Sequence, residues 1–307
     1  MGTAQFAVPA MQRLIDTYGE IVGIVTQPDR PKGRGKKVMP PPVKELAQSM
    51  DIPVFQPLKI KDPEAIEYIA SWQPDLIITA AYGQIIPPPL LKLPHAGCIN
   101  IHASLLPKYR GAAPIQRCLM NGENKTGITT MYMDEGLDTG DILLQQEVTI
   151  HEDTTYGELH DLLAAAGADL IIDTIEQLKE GTLKRIKQND QEATYAEMIK
   201  KSDEIINWQD QAASIINQIR ALDPQPGAST ILGEQNLKIF KGKITQESVT
   251  GQPGEIIGFS PVGFIVKTGN LGIEILELQK PGKKRINTVE FLKGHHLKTG
   301  TILGKQV

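Results

Sequence analysis

The stretch PDLIITAAYGQIIPPPLLKLPHAGCINIH, residues 74–102, decides the fold. It holds two short apolar runs, 74–83 and 97–102, bounded by Pro, Gly and polar residues in the way buried strands are bounded. The pattern repeats outward in both directions. EIVGIVTQ (20–27), GITTMYMD (127–134) and DILLQQEVTI (141–150) read as strands, while PVKELAQSM (42–50), DPEAIEYIASW (62–72) and GAAPIQRCLMNG (111–122) read as helices between them. A further helix starts at a Thr155/Glu158 capping box and ends at Gly181. Strands alternating with helical periodicity to about residue 180 predict an α/β domain with a mostly parallel, Rossmann-like sheet. At the start, MGTAQFAVPAMQRLIDTYG reads as a glycine turn and a helix with no strand to feed them, so the sheet is expected to lack its first strand.

Beyond this region the grammar changes. Residues 182–204 are polar and weakly periodic, as linkers are, and an amphipathic helix is expected over about 209–221. Then follow ASTIL, NLKIFKGKI, GEIIGFS, GFIVKT, GIEILELQK and GTIL, short runs separated by Gly, Pro and Asn. Brief strands so closely spaced predict a small antiparallel barrel, of which the OB-like barrel is one form. The expected division is a domain over 1–181, a linker over 182–204 and a second domain over 205–307.

Composition agrees with two globular domains: 307 residues, 40% apolar and 22% charged. No apolar run is long enough to span a bilayer and the N-terminus lacks a secretory pattern, so no membrane is expected and the chain is read as a cytoplasmic monomer. Cys98 and Cys118 have no CxxC spacing, which argues against a zinc ribbon or a disulfide framework. The net charge of −4 conceals an asymmetry, because residues 201–307 carry 13 Lys and Arg against 10 Asp and Glu. A basic module follows an acidic one.

Three segments carry chemistry. In GCINIHASLLPKYRGAAPIQ (97–116), Asn100 and His102 are two apart on a strand and so share a face, at the carboxyl end where open α/β sheets place ligands. An isolated Asn-x-His also fits a hydrogen-bonded pair beside a turn, but here a loop stiffened by Pro107 and Gly111 follows directly. MDEGLDTGDIL (133–143) sets four acids within eight residues between two apolar runs. It reads either as a solvated hairpin or as the source of a carboxylate for His102, and Asp138, flanked by Gly136 and Gly140, is the acid chosen. TQPDRPKGRGKK (26–37) brings Arg30, Lys32, Arg34, Lys36 and Lys37 into a Pro/Gly-rich loop against one acid, which suits a polyanion unless it is simply a solvated connector. Neither GxGxxG nor a Walker A motif is present.

These segments, with AYGQIIP and TYAEMIKKSDEIINW, resemble those of the 10-formyltetrahydrofolate-dependent formyltransferase family, and in particular its methionyl-tRNA members. The similarity extends over nearly the whole chain. It implies formyl transfer from 10-formyltetrahydrofolate, as cosubstrate and without a metal, to the α-amine of methionyl initiator tRNA. It implies a catalytic set of Asn100, His102 and Asp138. It implies folate contacts by Ser104, Leu105, Leu106 and Pro107 and a pterin wall including Tyr82, Gly83 and Ile85. The basic loop resembles the insertion that meets the tRNA acceptor end, with Arg34 at its centre, and the trailing barrel resembles a tRNA-binding domain. Other formyl-folate transferases or hydrolases share the catalytic set, and a non-catalytic tRNA-binding protein is the alternative outside enzymes.

Overall fold

In the computed structural model, which describes residues 1–32, 37–245 and 250–304, the apolar runs become short strands covered by proline-started helices. In chain order these are α1 (Val8–Tyr18), β1 (Ile24–Val25), β2 (Arg30–Lys32), β3 (Lys37–Met39), α2 (Pro42–Ser49), β4 (Val54–Phe55), α3 (Pro63–Ser71), β5 (Ile77–Thr79) and α4 (Pro88–Leu91). There follow β6 (Cys98–His102), β7 (Arg110–Gly111), α5 (Pro114–Met120), β8 (Lys125–Tyr132), β9 (Ile142–Thr149), α6 (Tyr156–Glu180) and β10 (Tyr195–Ala196). The remainder holds α7 (Ala212–Ala221), β11 (Ala228–Leu232), β12 (Gln235–Thr245), β13 (Ile256–Phe259), β14 (Phe264–Lys267), β15 (Gly272–Gln279), β16 (Ile286–Asn287) and α8 (Thr288–Lys293). The chain forms two compact units, one of residues 1–114, 125–149 and 160–196, the other of 115–124, 150–159 and 197–307.

The first unit is mixed α/β. Its main sheet runs β5-β6-β8-β9, with β5 parallel to β6 but β8 antiparallel to both β6 and β9. The expected parallel sheet is therefore only partly parallel. Residues 133–141, which join β8 to β9, are fewer than the dozen or so that a parallel crossover needs, so the chain turns straight back. β1 pairs in parallel with β4. Between these groups Met1 and Gly2 take up the strand position, Gly2 N–H donating to Val25 O at 3.0 Å and Met1 O accepting from Ala80 N–H at 3.0 Å. An apolar cavity of about 140 Å³ lies beside them, lined by Met1, Ala10, Met11, Leu14, Ile24 and Ile101 among others.

Residues 182–196, polar as read, are docked by their backbone. Ile186 exchanges N–H···O bonds with Ile142 at 2.8 and 2.9 Å, and β10 pairs in parallel with β7. Such docking needs no apolar side chains, which is why periodicity does not reveal it.

The second unit holds an antiparallel sheet ordered β11-β12-β15-β14-β13, with β16 on β15. The expected OB-like barrel is not closed among the described residues, since no ladder joins β11 to β13. The segment expected as its last strand forms an isolated antiparallel bridge, Ile302 with Glu255, flanked by Ile256 N–H to Thr301 O and Leu303 N–H to Gly254 O, both at 2.7 Å, and Gly304 N–H reaches Ile231 O at 2.8 Å. Gly300 and Gly304, at φ 88° and 85°, turn the chain out of extended register at each end of this segment. Ile239, Phe264, Val266, Ile273, Ile275 and Leu278 from the sheet pack with Ile215 and Ile219 of α7 into one core.

Candidate active site

The site is built on the polar end of β6. Asn100 sits opposite Thr79 on β5 and Met131 on β8, and His102 opposite Thr129. Thr79 Oγ1 donates to Asn100 Oδ1 at 2.8 Å. That bond orients the amide, and its Nδ2 donors have no protein partner among the described residues. His102 is 6% exposed. Its Nε2 lies 3.0 Å from Tyr109 O and its Nδ1 3.6 Å from Asp138 Oδ2. A carbonyl only accepts, so Nε2 carries a hydrogen and Nδ1 is the nitrogen turned to the carboxylate.

Asp138 comes from the β8–β9 loop with a backbone φ of 54°, in the left-handed region. Its Oδ2 accepts from Gly111 N–H at 2.8 Å. Gly111, at φ 119°, runs so close to the chain that an added Cβ would stand 2.8 Å from Ala196 O. Only glycine admits this approach. The other three acids of the segment do other things: Asp134 Oδ1 accepts from Gly136 N–H at 3.0 Å and Thr139 Oγ1 at 2.6 Å, tying the turn, Glu135 is exposed, and Asp141 Oδ2 accepts from Arg185 Nε at 3.0 Å.

The Ser104–Pro107 segment is clamped against β8 and β9. Thr129 Oγ1 donates to Ser104 O at 2.6 Å and accepts from Leu106 N–H at 3.2 Å, while Gln145 Nε2 donates to Leu106 O at 2.9 Å. Ser104 Oγ donates to Lys108 O at 2.6 Å. Leu106 packs with Met131 and Ile142, and Leu105 lies over Gly127. Both leucine side chains are thus in packing contact, whereas Pro107 is half-buried.

Tyr82, Gly83 and Ile85 separate. Tyr82 is buried among Val25, Ile60 and Leu90, its hydroxyl has no partner among the described residues, and burial pushes it up to about 12. Gly83 is exposed at φ 86°, and Ile85 is 86% exposed. Met133 packs against the Tyr82 cluster while its Sδ lies 3.1 Å from Thr79 Oγ1, which brings that cluster within two side chains of Asn100.

The cationic segment forms a hairpin, β2 against β3, pairing Arg30 with Met39 and Lys32 with Lys37. Arg30 and Lys37 are exposed, as are Val38 and Met39. Arg34 and Lys36 lie outside the described residues, as does the side chain of Lys32. Asp29, the acid of this segment, is tied by Gln56 Nε2 at 2.7 Å and Lys44 Nζ at 2.8 Å, and these two partners hold its carboxyl below its ordinary range.

Thr79, Tyr109, Thr129, Gln145 and Gln188 were not legible as site residues. Thr79 alone has a signal, a hydroxyl at the end of an apolar run on the strand next to β6. Among the described residues no group of three or more His, Cys, Asp or Glu gathers as metal ligands would, and no helix is long and apolar enough to cross a membrane.

Two family models cover most of the chain, Formyl transferase over residues 1–175 and Formyl transferase, C-terminal domain over 198–296. A methionyl-tRNA formyltransferase of Syntrophomonas wolfei is 49% identical over 307 residues, covering 100% of this chain and 98% of the relative. One of Geobacter sulfurreducens is 50% identical over 305 residues, covering 99% and 96%. In fold, the chain is similar to the crystal structure of WlaRD, a sugar 3N-formyl transferase, in the presence of dTDP and 5-N-formyl-THF, with a TM-score of 0.65 and 21% identity over 92% of this chain and 97% of that one. With a matching model for each of its two regions and relatives near half identity along its whole length, the chain belongs to the formyl transferase family, among the methionyl-tRNA formyltransferases.

Proposed function

We propose that this protein transfers the formyl group of 10-formyltetrahydrofolate to the α-amine of methionyl initiator tRNA, and that Asn100, His102 and Asp138 carry the chemistry. The observation behind this assignment is their convergence: an oriented amide with open donors, an imidazole beside it on the same strand face, and a carboxylate 3.6 Å from the ring. Attack of the amine on the formyl carbon builds negative charge on the formyl oxygen. Asn100 Nδ2 is the donor aimed at that oxygen, and one such donor is worth roughly 3 to 4 kcal/mol of barrier. His102, protonated, adds positive charge beside it. Asp138 Oδ1 has no protein partner among the described residues and takes up the amine's proton, directly or through water; collapse of the adduct then breaks the formyl C–N10 bond, and N10 takes that proton and leaves as the amine of tetrahydrofolate. No step in this account uses a metal.

The formyl donor fits the clamped Ser104–Pro107 segment, whose fixed backbone offers a rigid edge beside His102, with Leu105, Leu106 and Tyr82 as the apolar support beneath and Gly83 and Ile85 at the rim. The acceptor stem is assigned to the cationic hairpin, with Arg30, Lys32, Arg34, Lys36 and Lys37 on phosphates. In this division catalysis belongs to residues 1–181 and a second tRNA contact to the sheet of 205–307, read as an OB-like module. The protein is taken to work as a cytoplasmic monomer. Formyl transfer measured with charged initiator tRNA, with a sugar nucleotide amine, and with water alone as acceptor tests the assignment: product on the tRNA only is expected, and transfer to the sugar amine or release of formate instead would overturn it.

A further inference from the structure

Asp138 is the acid on which the proposed chemistry depends, and its backbone stands in the left-handed region, which is disfavoured for residues with a Cβ though less so for aspartate. Gln188 stands directly behind it. Gln188 Nε2 donates to Asp138 O at 2.8 Å and to Gly140 O at 2.7 Å, two carbonyls that face one amide because the chain between them is curled. Gln188 Oε1 accepts from Arg110 Nε at 3.0 Å and Nη2 at 2.9 Å. Every bond this amide can make is made.

Arg110 decides which way the amide points. It is 2% exposed, on β7, and its Nη2 also donates to Asp190 Oδ1 at 2.8 Å. A guanidinium has donors only, so Gln188 must turn its oxygen to Arg110 and its NH₂ to the acid loop. The reversed amide would set NH₂ against guanidinium and oxygen against two carbonyls. The residue after Arg110 is Gly111, whose N–H holds Asp138 Oδ2. One two-residue strand therefore grips Asp138 twice, at its carboxylate directly and at its main chain through Gln188. The loop does not need this grip to turn, because Asp134 already ties Gly136 and Thr139.

We propose that Gln188 is a positioning residue, which with Arg110 behind it fixes the main chain of Asp138 so that the carboxylate meets His102 Nδ1. The proposal rests on the assignment of Asp138 to the chemistry made above. The test is steady-state kinetics of Gln188→Ala, Gln188→Glu, Asp138→Ala and the double variant Gln188→Ala/Asp138→Ala, with KM measured for both substrates. Gln188→Ala should lower kcat about tenfold or more with either KM within about twofold, since misplacement acts on the transition state. Gln188→Glu keeps Arg110 paired, strengthens that pair, and turns oxygens to the two carbonyls, so it should lower kcat at least as far. It also carries the test if the alanine variant does not fold. The double variant should be no slower than Asp138→Ala. Wild-type kcat in Gln188→Glu would show that satisfying Arg110 is all Gln188 does, and a Gln188→Ala effect undiminished in the Asp138→Ala background would show that it acts elsewhere. Either overturns the proposal while leaving Asp138 in place, whereas wild-type turnover by Asp138→Ala removes the assignment beneath it and the proposal with it.

Discussion

The end of β6 and the β2–β3 hairpin belong to the same compact unit and face opposite physical demands. At β6 the polar groups are buried and interlocked: Thr79 on Asn100, Tyr109 O on His102, Gly111 on Asp138. On the hairpin the cations Arg30 and Lys37 are exposed, and among the described residues the Arg30 side chain makes a single 3.4 Å contact, with Gln27 Oε1. Burying polar groups is costly unless their partners are supplied, and the partners then fix geometry to fractions of an ångström. Stabilising charge that develops at one oxygen needs that precision. Holding a phosphate chain needs charge, and charge works at longer range and looser geometry. The two regions should therefore fail differently when cut.

The largest effects belong to β6 and its acid. Asn100→Ala, His102→Ala and Asp138→Ala should each lower kcat by roughly a hundredfold or more while tRNA affinity stays close to wild type. Single-turnover formyl transfer alongside tRNA titration measures both, and wild-type turnover in any one of the three would remove that residue from the set.

Next comes the support beneath the amide. Thr79→Val keeps the shape of the side chain but deletes the hydroxyl that orients Asn100, leaving the amide free to turn its oxygen toward the reacting one. The loss of one such bond is worth about 1 kcal/mol, so kcat should fall by about five- to tenfold at unchanged KM for the folate. Thr79→Ser restores the hydroxyl and should restore the rate. If Thr79→Val is as active as wild type, Asn100 is oriented by something else.

How much of each region was legible follows from how its contacts are made. The five basic residues of this segment fall within residues 30–37, so the expectation of a polyanion there comes from composition alone. The Asn-x-His pair was legible because strand periodicity puts both on one face. Its supports were not, since Thr79, Thr129, Gln145 and Gln188 reach the site from four other segments and are ordinary polar residues in each of them. The same holds for the fold. Strands such as β11 lie where apolar runs placed them, and the capping box at Thr155 forms, with Glu158 Oε2 accepting from Thr155 N–H at 2.8 Å. β16 and α8, by contrast, lie in a run of exposed polar residues anchored by Phe291, and the antiparallel turn of β8 into β9 depends on the length of a loop rather than on any pattern within the strands.

The smallest effects belong to the hairpin, and there the sign of the charge matters more than its exact place. Removing one phosphate contact releases one fewer counterion, so Lys37→Ala should flatten the log–log salt dependence of tRNA binding by a slope of roughly 0.7 to 0.9, alike for initiator and elongator methionyl-tRNA. Arg34→Ala should do this and also narrow the discrimination between the two tRNAs. Asp29 offers the converse. Gln56 and Lys44 hold its carboxyl low, so it keeps its negative charge down through the ordinary carboxylate range near about pH 4, and it cancels Lys44 at the base of the hairpin at every pH where tRNA binding is measured. Asp29→Asn removes that cancellation and leaves Lys44 as an additional cation, so tRNA affinity should rise about twofold at low salt, the gain vanishing as salt is raised and kcat staying unchanged. Fluorescence titration across salt concentrations reads all three variants. Affinity that falls in Asp29→Asn, or changes equally at all salt concentrations, would mean that the hairpin is held in shape by Asp29 rather than tuned in charge, and the contrast with β6 would fail on the hairpin's side.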